Sequence, residues 1–234
     1  MTVLAERLLE KYYRNSPHPY RIFEERIATL VNQKSTLLDA GCGRTLPVLR
    51  KYAGKASRLI GVELVDFTDV PEGIETYNAD LSQIPLADGS VDIIMSRSVF
   101  EHLVNPESVY REFARVLRPG GLVIFLTANM WDYGTLVAKL IPNRYHASIV
   151  KHTEGRAEED TFPTAYRTNT RNDVERLAQQ TGLTVRKFEY LNQYPNYLMF
   201  NGAFFFVGMC FERVTSRFNF LRFLRGWILV TLQK

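Results

Sequence analysis

Two short stretches of the chain combine a carboxylate with glycine in a way that suits ligand chemistry. Leu37-Leu38-Asp39-Ala40-Gly41-Cys42-Gly43 sets an acid inside an apolar run and follows it with two glycines. Where a side chain is missing, the backbone can approach a bound group closely. About twenty residues onward, Leu59-Ile60-Gly61-Val62-Glu63 ends a second apolar run in another carboxylate, the position at which doubly wound folds hold ribose hydroxyls. A nucleotide-bearing ligand fits such a corner. Glycine turn and acid alone do not separate a nicotinamide dinucleotide from S-adenosylmethionine.

These residues need elements to hold them. Ser35 to Ala40 reads as a buried strand feeding the glycine turn, and a helix is expected over Leu46–Ala53, its free N–H groups facing the ligand. Further strands are expected at Arg58–Val62, Asp92–Ser96 and Leu122–Thr127, with a helix over Pro106–Leu117 and a turn at Arg118-Pro119-Gly120-Gly121. Strands alternating with helices imply crossover connections and a parallel sheet covered on both faces. Leu4–Tyr13 and Tyr20–Val31 have helical spacing and are separated by Ser16-Pro17-His18-Pro19. Toward the C-terminus, a helix over Asn172–Thr181, strands at Thr184–Tyr190 and Trp227–Leu232, and a helical, Phe-rich Tyr194–Leu224 are expected.

More ordered signals follow the second acid: Asn78-Ala79-Asp80-Leu81, Ile84-Pro85-Leu86, Ser90-Val91-Asp92-Ile93-Ile94, Glu101-His102-Leu103 and Arg115-Val116-Leu117-Arg118-Pro119-Gly120-Gly121. With these in place, residues from about Leu37 to Ala128 resemble the class I S-adenosylmethionine-dependent methyltransferases, particularly the type 11 group. Each element is weak alone, and their order is specific.

The resemblance implies an α/β, Rossmann-like, doubly wound fold: a mostly parallel seven-stranded sheet with an antiparallel last strand and helices on both faces. It implies one domain over residues 1–234, with N-terminal helices over 1–34, a cofactor-binding core over 35–130, an acceptor-side insertion over 131–171, and C-terminal helices and strands over 172–234. It assigns S-adenosyl-L-methionine, leaving S-adenosyl-L-homocysteine, to a site in which Asp39, Gly41, Cys42 and Gly43 line the methionine end. Glu63 would hold the ribose, Asp80 and Leu81 the adenine, with Ser96 and Arg97 beside the methionine moiety. Asp80 suits its role because a carboxylate accepts from an exocyclic amine. One departure stands out: Arg44-Thr45-Leu46-Pro47 occupies a place where the family often has a third glycine. Cys42 reads as a small buried residue, and Glu101-His102 as capping or packing the start of a helix.

Methyl transfer from a sulfonium is an in-line displacement, so the protein chiefly aligns the partners and removes a proton where the acceptor requires it. Candidate bases lie in the long polar stretch 131–171: His146 and His152, with Asp132 and Tyr133 as polar neighbours. Arg156, Arg167 and Arg171 could clamp an anionic acceptor. A small-molecule, sugar or natural-product acceptor methylated on oxygen is the leading expectation. N- or C-methylation, a non-methylating cofactor-assisted reaction, and a non-catalytic cofactor-binding scaffold stand as alternatives.

Composition sets outer bounds. Lys and Arg outnumber Asp and Glu by 29 to 25, for a net charge of +4, with no aromatic-and-basic nucleic-acid module. Cys42 and Cys210 match no metal or redox spacing, so no metal is expected. Charges run through Met1–Arg14, and the apolar Leu198–Phe211 is shorter than a spanning helix. A cytoplasmic location is therefore expected; residues 203–224, where arginines alternate with Phe and Leu, read first as packing against the sheet, with a membrane or dimer contact as the alternative.

Overall fold

A computed structural model describes residues 2–135 and 162–234. Seven strands form one sheet: β1 (Thr36–Ala40), β2 (Arg58–Glu63), β3 (Ile74–Asn78), β4 (Val91–Arg97), β5 (Leu117–Ala128), β6 (Thr184–Leu191) and β7 (Trp227–Gln233), in the order β3-β2-β1-β4-β5-β7-β6. Pairs β1–β2, β1–β4, β2–β3 and β4–β5 are parallel. β7 runs antiparallel to β5, because Lys234 N–H bonds Gly121 O at one end while Asn129 N–H bonds Gly226 O at the other. The expected mostly parallel sheet with an antiparallel last strand is therefore present.

The described α-helices are α1 (Val3–Tyr13), α2 (Pro19–Ala28), α3 (Pro106–Val116), α4 (Arg171–Gln180) and α5 (Gly202–Arg217). Proline starts α2 and α3, where a missing N–H costs nothing. Thr170 and Asn201 cap α4 and α5 by accepting backbone N–H bonds through their side chains.

By internal contacts the chain divides into two compact units. The larger comprises Tyr20–Thr127, Ala165–Glu189 and Leu229–Lys234. Its core stacks the apolar face of α3 (Val109, Tyr110, Phe113, Val116) and of α4 (Val174, Leu177, Ala178) with strand residues Leu38, Ile60, Ile94, Val123 and Phe125. The Phe100 and Phe125 rings stack with centroids 3.9 Å apart, fixing the segment after β4 against β5. The smaller unit comprises Met1–Pro19, Ala128–Thr164 and Tyr190–Ile228; within its described residues α1 packs on α5.

Three expectations need correction. No α-helix follows the glycine turn: Leu46 is irregular, Pro47 and Val48 are turn residues, and Leu49–Tyr52 form a short 3-10 helix. Leu46 adopts φ +50, which lies outside the helical region, and its buried side chain holds it there. The expected turn at Arg118–Gly121 lies inside β5 as a bulge, since Val91 pairs with Leu117 but Ile93 pairs with Leu122. Tyr194–Leu224 is helical only in pieces: α5 is flanked by 3-10 turns at Asn196–Leu198 and Asn219–Leu224.

Candidate active site

In an open α/β sheet, ligands bind beyond the carboxyl ends of the strands where the strand order reverses. Here that reversal falls between β1 and β4. The turn after β1 and the segment after β4 are in direct contact: Gly41 lies at φ +76, and a Cβ there would overlap Val99 Cγ2. Both the backbone angle and the space therefore require glycine.

Asp39 stands in β1 with neighbours Gly61 on β2 and Met95 on β4. It is 4% exposed, and its Oδ2 has no hydrogen-bond partner in the structure. Burial pushes its carboxyl up to about 7, the Arg97 guanidinium offsets part of this, and the Glu63 carboxylate adds to it. An orphaned buried carboxylate oxygen is costly. It fits a ligand that brings a donor or a positive charge.

Glu63 closes β2 and grips the glycine turn. Its Oε2 accepts from Gly43 N–H at 2.8 Å and its Oε1 from Leu64 N–H at 2.8 Å. A carboxylate has about four acceptor sites on its two oxygens, so lone pairs remain for two hydroxyls. Gly41 and Cys42 N–H both bond Val62 O, and Cys42 Sγ donates to the same oxygen at 3.5 Å. Burial raises the Cys42 thiol far above its ordinary range, which makes it an inert packing residue. Asp80 Oδ1 accepts from Ser82 N–H at 2.7 Å, and Leu81 beside it is buried.

The Ser96 hydroxyl is fully buried and donates to Ala40 O at 2.7 Å, tying β4 to β1. Arg97 is held by α2: its Nη1 bonds Glu24 Oε1 at 3.0 Å, and its guanidinium lies 4.2 Å from the centre of the Tyr20 ring. Tyr20 Oη also shares a hydrogen bond of 3.1 Å with Ser98 Oγ. Sequence reasoning missed Tyr20 and Glu24. Their signal was positional, at the start of the helix that follows Ser-Pro-His-Pro.

A second buried polar cluster was also missed. Glu101 Oε2 accepts from Thr127 Oγ1 at 2.5 Å, and Asn169 Nδ2 donates to the same Thr127 oxygen at 2.9 Å. Glu101 O accepts from Ala165 and Tyr166 N–H. Glu101 is thus a cross-link between the ends of β4 and β5 and the 165–169 segment, and its side chain does not cap a helix.

Other expected residues divide as follows. His146, His152 and Arg156 lie outside the described residues. Arg167 Nη1 donates to Val104 O at 2.7 Å, and Arg171 pairs with Glu175 at 2.7 Å. Arg44 Nη1 reaches Asp66 O at 3.3 Å. Asp132 Oδ2 accepts from Gly134 and Thr135 N–H while burial lifts its carboxyl to about 6.

The smaller unit has a cavity of about 590 Å³ lined by residues including Tyr13, His18, Asn192, Tyr194 and Glu212. Glu212 is the one acid in residues 190–234 and accepts from Tyr13 Oη at 2.7 Å. Burial raises its carboxyl to about 8, partly offset by the Tyr13 bond.

Comparison with known proteins agrees with this geometry. Residues 38–125 match the model of a family described as a methyltransferase domain. A probable S-adenosylmethionine-dependent methyltransferase of Mycobacterium tuberculosis is 33% identical over 116 residues, 47% of this chain and 41% of that protein. The chain spans less than half the length of the curated relatives it matches first. Among solved structures, an S-adenosylmethionine-dependent methyltransferase from Mesorhizobium loti superposes with TM-score 0.56 at 16% identity, covering 91% of this chain and 98% of that one. Geranyl diphosphate C-methyltransferase from Streptomyces coelicolor, solved with S-adenosyl-L-homocysteine, gives TM-score 0.53 at 16% identity, covering 89% of this chain and 77% of that one. An acid-and-glycine turn at the strand reversal, an acid closing β2, and a family match fall on the same stretch: residues 38–125 are similar to a methyltransferase domain, and the fold is that of S-adenosylmethionine-dependent methyltransferases of known structure.

Proposed function

We propose that the chain works as one domain and methylates an oxygen of a small-molecule, sugar or natural-product acceptor. The observation that carries the reading is the buried Asp39 carboxylate, whose Oδ2 is unpartnered beside a turn that only glycine can make. S-Adenosylmethionine, when bound, supplies a methyl group already activated on a sulfonium. The chain's own residues orient and hold. Asp39 offers its free oxygen to the cationic methionine end, and Glu63 offers its remaining lone pairs to the ribose hydroxyls. Asp80 and Leu81 offer an acceptor and an apolar wall to the adenine, while Gly41 and Gly43 keep side chains out of the way.

Ser96 keeps β4 in register with β1, and Arg97 sets the local charge that Asp39 feels. A hydroxyl acceptor must lose its proton to a base, and we assign that task to His146 or His152. Residues 203–224 enter the reading as a contact surface.

Calorimetry with S-adenosylmethionine tests the cofactor half. Wild type should bind saturably, and Glu63→Ala and Gly41→Val should both lose binding. An acceptor screen read by product mass tests the other half. A product 14 mass units heavier, roughly one methylene, marks methylation, and its absence with every acceptor class despite cofactor binding would sink the proposed reaction. His146→Ala and His152→Ala should lower turnover while leaving cofactor affinity unchanged.

A further inference from the structure

Helix α5 is apolar on two faces. One is buried: Gly202, Phe205, Gly208 and Met209 point inward, with Leu4 tight against Gly202 and with Pro195 and Leu198 tight against Gly208. A surface helix normally turns charge outward on its other side. Here the other side carries apolar residues at helical spacing, Phe204, Val207 and Val214, and Phe200 and Phe218 flank the helix and are exposed as well. Phe204 is 55%, Val207 64% and, just beyond the helix, Phe220 74% exposed. Phe206 and Phe223 are exposed as well. Such a patch exceeds the scattered apolar residues of an ordinary surface.

The charges around it have one sign. Arg213, Arg217 and Arg222 are exposed, and Glu212, the single acid of residues 190–234, is turned inward onto Tyr13. The other exposed acids among the described residues of this unit, Glu6 and Glu10, lie on α1 beside the cavity with Arg14 and Arg213. No described helix is long and apolar enough to cross a membrane.

We propose that this face, α5 with the following turn through Phe223, docks on an anionic lipid surface, inserting its phenylalanines while the arginines meet the headgroups. A second copy fits less well. A symmetric contact would bring Arg217 and Arg222 from each copy to one apolar interface with no exposed acid of residues 190–234 to pair them. Anionic lipid supplies both what the rings need and what the guanidiniums need. This goes beyond methyl transfer and stands or falls separately from it.

The test is flotation of the full chain with phosphatidylcholine vesicles, with and without phosphatidylglycerol. Wild type should float with the anionic vesicles and release at high salt. Phe204→Ser combined with Phe220→Ser should lower the partition coefficient about tenfold or more, and Arg217→Gln with Arg222→Gln about fivefold per charge removed. S-Adenosylmethionine calorimetry on the same variants should be unchanged, which shows that they fold and keeps the cofactor site out of the result. Wild type that stays with the soluble fraction at low salt overturns the proposal. So does flotation indifferent to both variant pairs, or a concentration-dependent dimer in sedimentation that Phe204→Ser abolishes.

Discussion

Replacing Asp39 by asparagine should stabilise the empty protein at alkaline pH while removing its affinity for S-adenosylmethionine. Burial disfavours the ionised form and pushes the folded carboxyl up to about 7 from an ordinary 3.8. A raised folded value for an acid means that the folded state holds its proton more tightly than the unfolded chain. Stability from this group is then complete below the unfolded value and is lost as pH rises from about 4 to about 7. A rise of that size corresponds to about 4 kcal/mol at pH 8 and about 1.5 kcal/mol at pH 5. Asparagine has its own burial cost, but that cost does not change with pH. The quantity to compare is therefore the difference: relative to wild type, Asp39→Asn should gain about 2–3 kcal/mol between about pH 5 and pH 8. Urea unfolding of both proteins at the two pH values, without cofactor, measures it. With saturating S-adenosylmethionine the order should reverse at pH 8, because only wild type gains binding free energy. A stability difference that stays constant with pH would refute the reasoning, since it would mean that the folded Asp39 carboxyl ionises as readily as it does in the unfolded chain.

Gly41→Val combines positive φ with overlap on Val99 and should cost more than about 2 kcal/mol in thermal unfolding, besides the binding loss. Thr127→Val removes the donor to the buried Glu101 and should destabilise by about 1–3 kcal/mol, which chemical denaturation reads; an unchanged midpoint would mean that water satisfies Glu101. The Glu212 carboxyl, raised to about 8, should make the wild type lose stability as pH rises from about 4.5 to 8, and Glu212→Gln should flatten that loss in melts across the range. Tyr13→Phe takes away the bond that helps Glu212 ionise, so its destabilisation should grow above about pH 8 and nearly vanish at acid pH.

The parallel strands were legible because burial on both faces writes them as continuous apolar runs, as in Leu37-Leu38 and Ile93-Ile94. Asp39 was legible because an acid inside such a run has no structural excuse. β3 was not assigned: Ile74-Glu75-Thr76-Tyr77-Asn78 is an edge strand, half exposed, and its polar residues mask the pattern. The helix expected after the glycine turn failed on Leu46, a bulky residue held at φ +50 where the spacing of apolar residues still looked helical. The Glu101, Thr127 and Asn169 cluster was invisible for a different reason. Its members are separated by 26 and 42 positions, and only the folded sheet brings them together. Glu212 had a signal that went unused, since a lone carboxylate among so many phenylalanines must either be solvated or find a partner.

The sheet order also governs when the fold can finish. β7 sits between β5 and β6, so β6 has no hydrogen-bonded neighbour in the sheet until residues 227–233 arrive. During synthesis the five parallel strands that carry the cofactor corner can pair as they emerge, but the β5 edge must wait open for β7 to slot in. A ribosome stalled before residue 227 would hold a chain with its cofactor residues already translated and two unsealed strand edges, the state in which a chaperone would find most to do.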